Sequence, residues 1–441
     1  MTVLIKIIQL LLSLSILVIV HEFGHFILAR YFKTRVEKFY LFFDWPFALF
    51  KRKWGETEYG IGMIPLGGYV KIAGMIDESM DREQMKQPPQ PHEFRSKKAW
   101  QRLMIMLGGV FFNFIFALLI YVAILSVWGE TYLPAANVKY GILTDSTGYA
   151  MGLRNGDKII SVDGQPVDNF YTIIPDILLN DRKIITVDRQ GAIVDVPVGR
   201  EFIPLLLKNP DVLDARVPFG PFVVSDFSED SPAKQAGLSV GDEIVAFDNN
   251  QFVWYDEFQA YLASHRNAPL TVTVRRESEL VDFTVRLTEA GLLGIFREPA
   301  NVLEISTKHY SFFQAIPAGI TKGWNTTKDY LKQFRLIFTK DTKAYESLGG
   351  FIAIGNIFPG KWNWQSFWNL TAFLSLILAV MNILPIPALD GGHVMFLIFE
   401  VVTGRKPSDK FMEYAQIAGM VILLALLIFA NGNDILKLIR K

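Results

Sequence analysis

Four long runs of apolar residues constrain the fold of this chain more than any other feature of its sequence. They cover residues 3–29, 102–128, 367–384 and 411–430. A helix needs about 20 mostly apolar residues to cross the roughly 30 Å hydrocarbon core of a bilayer. Hydrophobic residues make up 51% of the chain and gather in these runs, as is typical of a membrane protein. The sequence therefore predicts four transmembrane helices.

The first run has a competing interpretation, a cleaved secretory signal peptide, because Lys6 precedes a long apolar stretch. However, no cleavage site with small residues follows Val20, and apolar residues continue past His25. We therefore interpret the first run as an uncleaved membrane anchor.

Charge and cysteine content exclude several classes of site. The chain has 44 basic and 44 acidic residues, which gives no support for a nucleic-acid partner. It has no cysteine, so disulfides and cysteine-ligated zinc are excluded. A histidine-based metal site must draw on six residues: His21, His25, His92, His265, His309 and His393.

Basic residues near the apolar runs predict the orientation of the chain in the membrane. Those in the first and third loops are Arg30, Lys33, Arg35, Lys38, Arg95, Lys97, Lys98, Arg102, Arg405, Lys406 and Lys410. By the positive-inside rule these loops face the inner side. Both termini, and about 240 residues between the second and third runs, should then lie outside, although the basic C-terminal tail argues for the opposite.

Two stretches of the outer segment repeat one another. MGLRNGDKIISVDG at residues 151–164 aligns with AGLSVGDEIVAFDN at residues 236–249, with matching glycines and aspartates 85 positions apart. Each stretch predicts a helix that ends at a glycine, a turn, a strand and a second turn. Two tandem modules of one fold are the simplest account.

The repeated pattern resembles that of bacterial PDZ domains, which bind peptides by adding a strand to a sheet edge. GLLGIF at residues 291–296 follows the pattern, as the carboxylate loop does in a circularly permuted PDZ domain. The first module lacks the Ser-Pro-Ala start that the second has at residues 231–233. Whether the first module binds a peptide is therefore left open.

An amphipathic helix is predicted after the second module. Its apolar stripe consists of Phe313, Ile316, Ile320, Trp324, Thr327, Leu331, Phe334 and Phe338. The three- and four-residue steps between them are those of one helix face. We expect this face to pack on its own domain or lie on the membrane, and a partner-binding face is the alternative.

A His-Glu-x-x-His motif lies inside the first apolar run, where charged residues are rare and usually mark function. On a helix, His21 and His25 project from one face and can reach one metal ion. Glu22 lies a step round the helix and can take a proton from a metal-bound water. The alternative is a buried polar cluster that fixes helix packing.

A catalytic zinc ion keeps three protein ligands and one open position, so a third ligand is needed. NILPIPALDGGH at residues 382–393 places Asp390 and His393 just past the third run. The first and third runs cross in the same direction, so His21 and Asp390 should lie at similar depth. Two prolines free the local backbone to turn Asp390 inward, which favours it over His393. We interpret His393 as a supporting or structural residue.

HEFGH in the first run, tandem PDZ-like modules, and NILPIPALDGGH in a later run together resemble the site-2 protease family of intramembrane zinc metalloproteases. The resemblance covers essentially the whole chain. It implies that His21, His25 and Asp390 bind Zn²⁺ and that Glu22 is the catalytic base. It also implies that Asn382 helps to hold the substrate, whereas a residue that caps or kinks the third helix is the alternative.

The resemblance further implies a location in the bacterial inner membrane, with both termini and the PDZ-like modules in the periplasm. The implied substrates are single-span membrane proteins, such as anti-sigma factors already trimmed by another protease, and also remnant signal peptides. Such cleavage would belong to regulated intramembrane proteolysis in an envelope stress response. The PDZ-like modules would bind peptides, or would act as a size filter that excludes bulky outer domains.

Residues 58–74, EYGIGMIPLGGYVKIAG, are apolar and rich in glycine but too short to span a membrane. They predict a β-hairpin that dips into the membrane from the inner side. The resemblance implies that this hairpin pairs with substrate, which makes Gly60, Gly62, Gly67 and Gly68 candidate substrate-binding residues. A glycine-rich turn without substrate contact is the alternative.

The predicted fold is a multi-pass α-helical membrane protein with four transmembrane helices, a membrane-dipping β-hairpin and two inserted α+β PDZ-like domains. The predicted segments are helix 1 at 1–30, an inner loop with the hairpin at 31–100, helix 2 at 101–129, PDZ-like domains at 130–214 and 215–300, the amphipathic region at 301–345, a loop at 346–366, helix 3 at 367–390, an inner loop at 391–410, helix 4 at 411–431 and a tail at 432–441. The predicted activity is that of a zinc metalloendopeptidase. A non-hydrolytic zinc-binding PDZ scaffold and a metal transporter are the alternatives.

Overall fold

A computed structural model describes residues 2–75, 88–297, 303–339, 342 and 349–439. The chain forms two compact units, one made of Met1–Glu130, His309–Arg335 and Tyr345–Lys441, the other of Thr131–Lys308 and Leu336–Ala344. The helices are α1 Thr2–Tyr31, α2 Ala99–Val127, α3 Ser146–Met151, α4 Ile173–Asn180, α5 Ile203–Lys208, α6 Pro232–Gln235, α7 Tyr255–Ser264, α8 Phe312–Phe338, α9 Phe351–Ile357, α10 Trp364–Ile383, α11 Asp390–Thr403 and α12 Asp409–Ile439. The strands are β1 Val36–Trp54, β2 Thr57–Ile72, β3 Glu130–Tyr132, β4 Ile142–Thr144, β5 Lys158–Val162, β6 Gln165–Pro166, β7 Ile184–Arg189, β8 Ala192–Pro197, β9 Leu213–Ala215, β10 Phe222–Phe227, β11 Glu243–Phe247, β12 Pro269–Arg276, β13 Glu279–Arg286, β14 Ile295–Arg297 and β15 Ser306–Lys308.

The first unit is built around membrane-spanning helices. In the described part of the chain, α1, α2, α10 and α12 are long and apolar enough to cross a membrane. This confirms the predicted multi-pass helical fold. Gly24 of α1 and Gly108 of α2 bring these two backbones into direct contact, because a side chain at either glycine would collide with the other residue's carbonyl group.

Buried polar side chains join these helices. The hydroxyl groups of Thr371 in α10 and Ser13 in α1 form a hydrogen bond at 3.0 Å, and the Ser375 hydroxyl donates to the Asn113 carbonyl of α2 at 2.7 Å. Both hydroxyl groups lie in otherwise apolar surroundings, where an unpaired polar group is costly. The bonds therefore hold α1, α2 and α10 in a defined register.

The segment predicted as a hairpin is organised differently. Residues 58–74 do not form a hairpin by themselves, because Thr57–Ile72 is the single strand β2, joined to β1 by a turn at residues 55–56. Both strands bend: Tyr40 of β1 pairs with both Tyr69 and Gly60 of β2, and Gly60 also pairs with Lys51 of β1. The partner strand was missed because Asp44 and Pro46 interrupt its pattern, and its pairing is long-range.

The third predicted span is shorter than expected. α10 ends at Ile383, and Asp390 is the first residue of a separate helix, α11. Residues 367–390 are thus not one helix, and much of the predicted loop 391–410 is helical. The physical reason is the Pro-Ile-Pro sequence at residues 385–387, which cannot continue a regular helix.

The predicted amphipathic helix is α8, but its packing face is not its large apolar stripe. Small residues pack against α2: Gly319 lies on Val122, and Gly323 lies on Leu118. Among the large apolar residues, Phe313 is 80% exposed and Trp324 is 52% exposed. Small residues allow close helix approach, which explains why this face is the one against α2.

The second unit contains two α+β modules, each with its own hydrophobic core. The first core includes Leu153 and Ile185, with sheet orders β6-β5-β7-β8 and β4-β9. The second includes Phe247 and Val272, with sheet order β13-β12-β11-β10-β14. Their assignment as PDZ domains remains a prediction.

The repeat seen in the sequence has a structural counterpart, an ion pair between a buried aspartate and a partly exposed arginine in each module. Arg189 donates to both carboxylate oxygens of Asp157 and to the Gly152 carbonyl. Arg276 makes the same set of bonds to Asp242 and the Gly237 carbonyl. The two glycines have φ of 105° and 102°, which favour glycine at the end of a helix.

Replacing Asp242 by asparagine should destabilise the second module at neutral pH by about 1–3 kcal/mol, because a charged hydrogen-bonded partner of Arg276 is lost. The hydrogen bonds from Arg276 hold the pKa of Asp242 below its usual value, despite the opposing effect of burial. The carboxylate therefore stabilises the folded state above the unfolded pKa of about 3.9, and this contribution disappears as pH falls through the lower folded pKa.

Hydrogen exchange of β11 and β12 in the full chain measures this effect. Asp157→Asn makes the same change in the first module and is the control, because it should leave β11 and β12 unaffected. The difference between wild type and Asp242→Asn should be fully present above about pH 3.9 and should shrink as the pH falls through the lower folded pKa of Asp242. An equal difference at all pH values would show that the ionised carboxylate is not responsible.

Candidate metal centre

Two helices bring the metal-binding candidates together. His21 and His25 project from the same face of α1, and Asp390 begins α11. Asp390 Oδ2 lies 3.0 Å from His21 Nε2 and 3.3 Å from His25 Nε2. The two Nε2 atoms are 3.3 Å apart. Within the described residues, these three are the one group of histidine and carboxylate side chains close enough to hold an ion.

The tautomer of His25 suits a metal ligand. His25 Nδ1 lies 2.8 Å from the Ile105 carbonyl of α2. A carbonyl oxygen only accepts hydrogen bonds, so Nδ1 must carry the proton. The Nε2 atom of the neutral ring then has a free lone pair, and it points at Asp390 and His21.

Asp390 Oδ2, the third atom of the group, is also suited to bind a cation. Asp390 Oδ2 is buried and accepts no well-oriented hydrogen bond, even though both imidazole nitrogens are close. Electron-rich atoms that converge in this way are stabilised by a positive charge between them. Two imidazole nitrogens and one carboxylate oxygen are a ligand set that zinc accepts with an open fourth position. The residues therefore fit a catalytic zinc ion.

Gly109 of α2 leaves the room that the centre needs. A Cβ atom at this position would collide with His21 Cε1 and would lie 2.5 Å from His25 Nε2. The glycine therefore lets α2 pass directly beside the two candidate ligands His21 and His25. No larger residue could take its place without displacing a ligand.

We expect Gly109→Ala to weaken zinc binding and so to lower the zinc content of the purified protein. The added methyl group must push a ligand out of position, at an over-packing cost of about 1–3 kcal/mol. Metal analysis of the full chain measures the result. Gly432→Ala is the matched control, because Gly432 lies in α12 with nothing within 4 Å of its added Cβ. A zinc content in Gly109→Ala equal to that of the control would contradict the prediction.

The loop before α11 aims Asp390 at the histidines. Ala388 has φ of 80°, an unusual conformation for a residue with a side chain. Farther along α11, Arg102 Nη2 of α2 pairs with Glu400 Oε1, and both side chains are largely buried. This pair fixes α11 against α2, the same helix that contacts the histidines.

Glu22 lies beside the ligand group but outside it. Its carboxylate is near enough to His21, His25 and Asp390 to interact with them electrostatically, and it lies next to the backbone amide of Val70 in β2. A base in this position can act on a water molecule near the ligands without being a ligand itself.

The other candidate residues have different surroundings. Asn382 Nδ2 lies 3.3 Å from His21 Nε2, so Asn382 borders the centre. His393 Nε2 lies 2.9 Å from Gln416 Nε2 and is not in the ligand group. The predicted substrate-binding glycines, Gly60, Gly62, Gly67 and Gly68, all lie in β2. A Cβ atom added at Gly60 would meet Tyr40, one at Gly62 or Gly67 would meet Phe43, and one at Gly68 would meet Tyr40 and Val18.

Sequence reasoning missed the contribution of α2. Ile105 contacts His25, Asn113 contacts His21 and Gly109 lies beside both, but only Asn113 leaves a signal in the sequence. It is a single amide in a nearly uncharged apolar run, and such intramembrane polar residues are candidates for function.

Comparisons with known proteins agree with this geometry. The sequence profile of peptidase family M50 matches residues 9–426. The chain is 30% identical to PM1991 of Pasteurella multocida, which is named as a zinc metalloprotease, over 97% of this chain and 98% of that protein. It is 29% identical to the regulator of sigma-E protease RseP of Salmonella typhimurium, over 97% of this chain and 98% of that protein.

Proposed function

This chain belongs to peptidase family M50, and we propose that it hydrolyses peptide bonds within or near the membrane-spanning segments of single-span proteins. It is a zinc metalloprotease, as the family and the named relatives indicate. This favours the hydrolytic prediction over the scaffold and the transporter.

The observation that carries the proposal is the depth of the ligand group. His21 and His25 lie within a helix that is long and apolar enough to cross a membrane, and both are at least 92% buried. A metalloprotease centre inside such a helix can meet a substrate only at membrane depth or near it. The substrate is therefore itself a membrane segment.

Each residue of the centre has a defined role in this proposal. His21, His25 and Asp390 would hold zinc, which supplies a Lewis acid and lowers the pKa of a coordinated water to about 7. Glu22 accepts the proton of the attacking water at its carboxylate and passes it to the departing amide nitrogen. The Asn382 amide, beside His21, orients the substrate carbonyl by hydrogen bonding.

The sheet next to α1 supports a role in presenting the substrate. Val70 of β2 lies beside Glu22, so this strand runs past the catalytic base. In the described residues β1 and β2 form a two-stranded sheet, and residues 68–72 lie at an edge of this sheet. A substrate helix must unwind before hydrolysis, and an edge strand can satisfy its freed backbone groups. Gly60, Gly62, Gly67 and Gly68 would keep this sheet thin and close to the substrate.

The protein is a multi-pass inner membrane protein, and its orientation is part of the proposal. The basic loops favour both termini and the two α+β modules on the periplasmic side. There the modules would act as PDZ-like domains that bind peptides or exclude bulky outer domains. Anti-sigma factors already trimmed by another protease, and remnant signal peptides, are the substrate classes that suit such a filter in an envelope stress response.

A cleavage assay with metal removal tests the proposal. The full chain in detergent should cut a single-span substrate that lacks a bulky outer domain, and mass spectrometry should place the cut within or next to the span. A chelator should abolish cleavage, and zinc but not magnesium should restore it. Cuts confined to soluble segments far from the span would contradict the proposal.

A further inference from the structure

One stripe of α2 faces the His-Glu-x-x-His motif. Ile105, Gly109 and Asn113 are spaced one helical turn apart and contact the two histidines of α1 in turn. Gly109 leaves room for the rings of His21 and His25. The two remaining positions each meet the Nδ1 atom of one histidine, which is the ring nitrogen that faces away from the metal ligand group.

At His25 the contact of Nδ1 with Ile105 fixes the tautomer and the orientation of the ring. The Ile105 carbonyl accepts the Nδ1 proton at 2.8 Å, so that Nε2 keeps its lone pair for a metal. Metal-binding histidines generally donate their other ring N–H to such an acceptor, which sets the tautomer and the ring orientation. His21 needs an equivalent acceptor if its Nε2 atom is also a ligand.

The group at that position is the Asn113 side chain. Asn113 is 0% exposed, and its amide lies 3.3 Å from His21 Nδ1 through the Nδ2 atom. The Oδ1 atom of the same amide is buried and has no hydrogen-bond partner. An amide nitrogen beside Nδ1 requires a lone pair there and a proton on Nε2, where the metal ligand group needs a lone pair.

Rotation of the amide by 180° removes the conflict at His21 Nδ1. It exchanges Oδ1 and Nδ2, places the oxygen against His21 Nδ1 and gives this oxygen a hydrogen-bond donor. We propose that Asn113 is a positioning residue for the metal centre, whose side-chain oxygen accepts the Nδ1 proton of His21 and so directs the Nε2 lone pair at the zinc ion. Asn113 and Ile105 then play the same part for the two histidines.

The zinc affinity of the purified full chain tests this role, measured by competition with a chromogenic chelator. Asn113→Leu is similar in size but cannot accept a hydrogen bond, and we expect it to weaken zinc binding about 10–100-fold. Asn113→Asp offers an acceptor oxygen in the same place, and should bind zinc at least ten times more tightly than Asn113→Leu. This recovery is not expected if Asn113 only fills space.

Thr371→Val is the matched control, because Thr371 is equally buried between helices and bonds to Ser13, away from the centre. It should keep wild-type zinc affinity. Wild-type affinity in Asn113→Leu, or equally weak binding in Asn113→Asp and Asn113→Leu, would overturn the proposal. The inference rests on the zinc centre of the proposed function and not on its substrate, so a failure to find cleavage would leave this test unaffected.

Discussion

Asp390→Ala is expected to leave the protein without zinc and without peptidase activity. The change removes one of the three proposed ligand atoms, and Asp390 Oδ2 lies within 3.3 Å of both imidazole nitrogens. Two neutral histidines then remain, with no negative charge to balance the cation. Removal of a hydrogen-bond partner of a metal ligand usually weakens metal binding about 10–100-fold. The loss of zinc affinity in Asp390→Ala should be larger. Zinc per chain after dialysis, followed by cleavage of a single-span substrate, measures both effects.

His393→Ala is the control for this change. His393 lies on the same helix, three residues further on, and its ring faces Gln416 of α12 instead of the ligand group. This variant should retain zinc. Asp390→Asn, which keeps the shape of the side chain, should lose zinc as Asp390→Ala does. Loss of zinc on mutation of His393 but not of Asp390 would contradict the prediction, because it would identify His393 as the third ligand.

The sequence was sufficient to predict the elements that carry a local pattern. Four apolar runs predicted four helices able to span a membrane, and the structure has them. The His-Glu-x-x-His spacing placed His21 and His25 on one face of α1. Asp390 was predicted from depth and local helix breakers, and the structure brings it to the same group.

What the sequence could not predict depends on contacts between distant segments. Gly109 matters only because α2 passes beside α1, and a glycine in an apolar run has no pattern that reveals this. The sheet of β1 and β2 was missed for a similar reason. Tyr40 of β1 pairs with both halves of β2, and this register depends on contacts that form only in the folded chain.

The break between α10 and α11 shows an intermediate case. Pro385 and Pro387 signalled that the third helix would end, but the predicted span was still drawn through Asp390. The prolines mark where a helix stops and not whether a new one starts. In the structure a new helix does start, and its first residue is the metal-binding candidate.

Glu22→Gln should lower the rate of peptide cleavage by about 10²–10⁴-fold, the usual contribution of a general base. Glutamine has the shape of glutamate but cannot take a proton from water. Glu22 is outside the ligand group, so zinc content should be unchanged. Metal analysis and the initial cleavage rate of one substrate, followed on a gel, measure the two quantities in the same protein sample.

The most direct test of the central claim is the cleavage of one single-span substrate by wild type and Glu22→Gln, at equal measured zinc. Hydrolysis at a membrane-depth zinc centre predicts that wild type cuts within or next to the span and that Glu22→Gln does not cut at a comparable rate. Equal rates for the two proteins would show that the His-Glu-x-x-His centre is not where the peptide bond is broken.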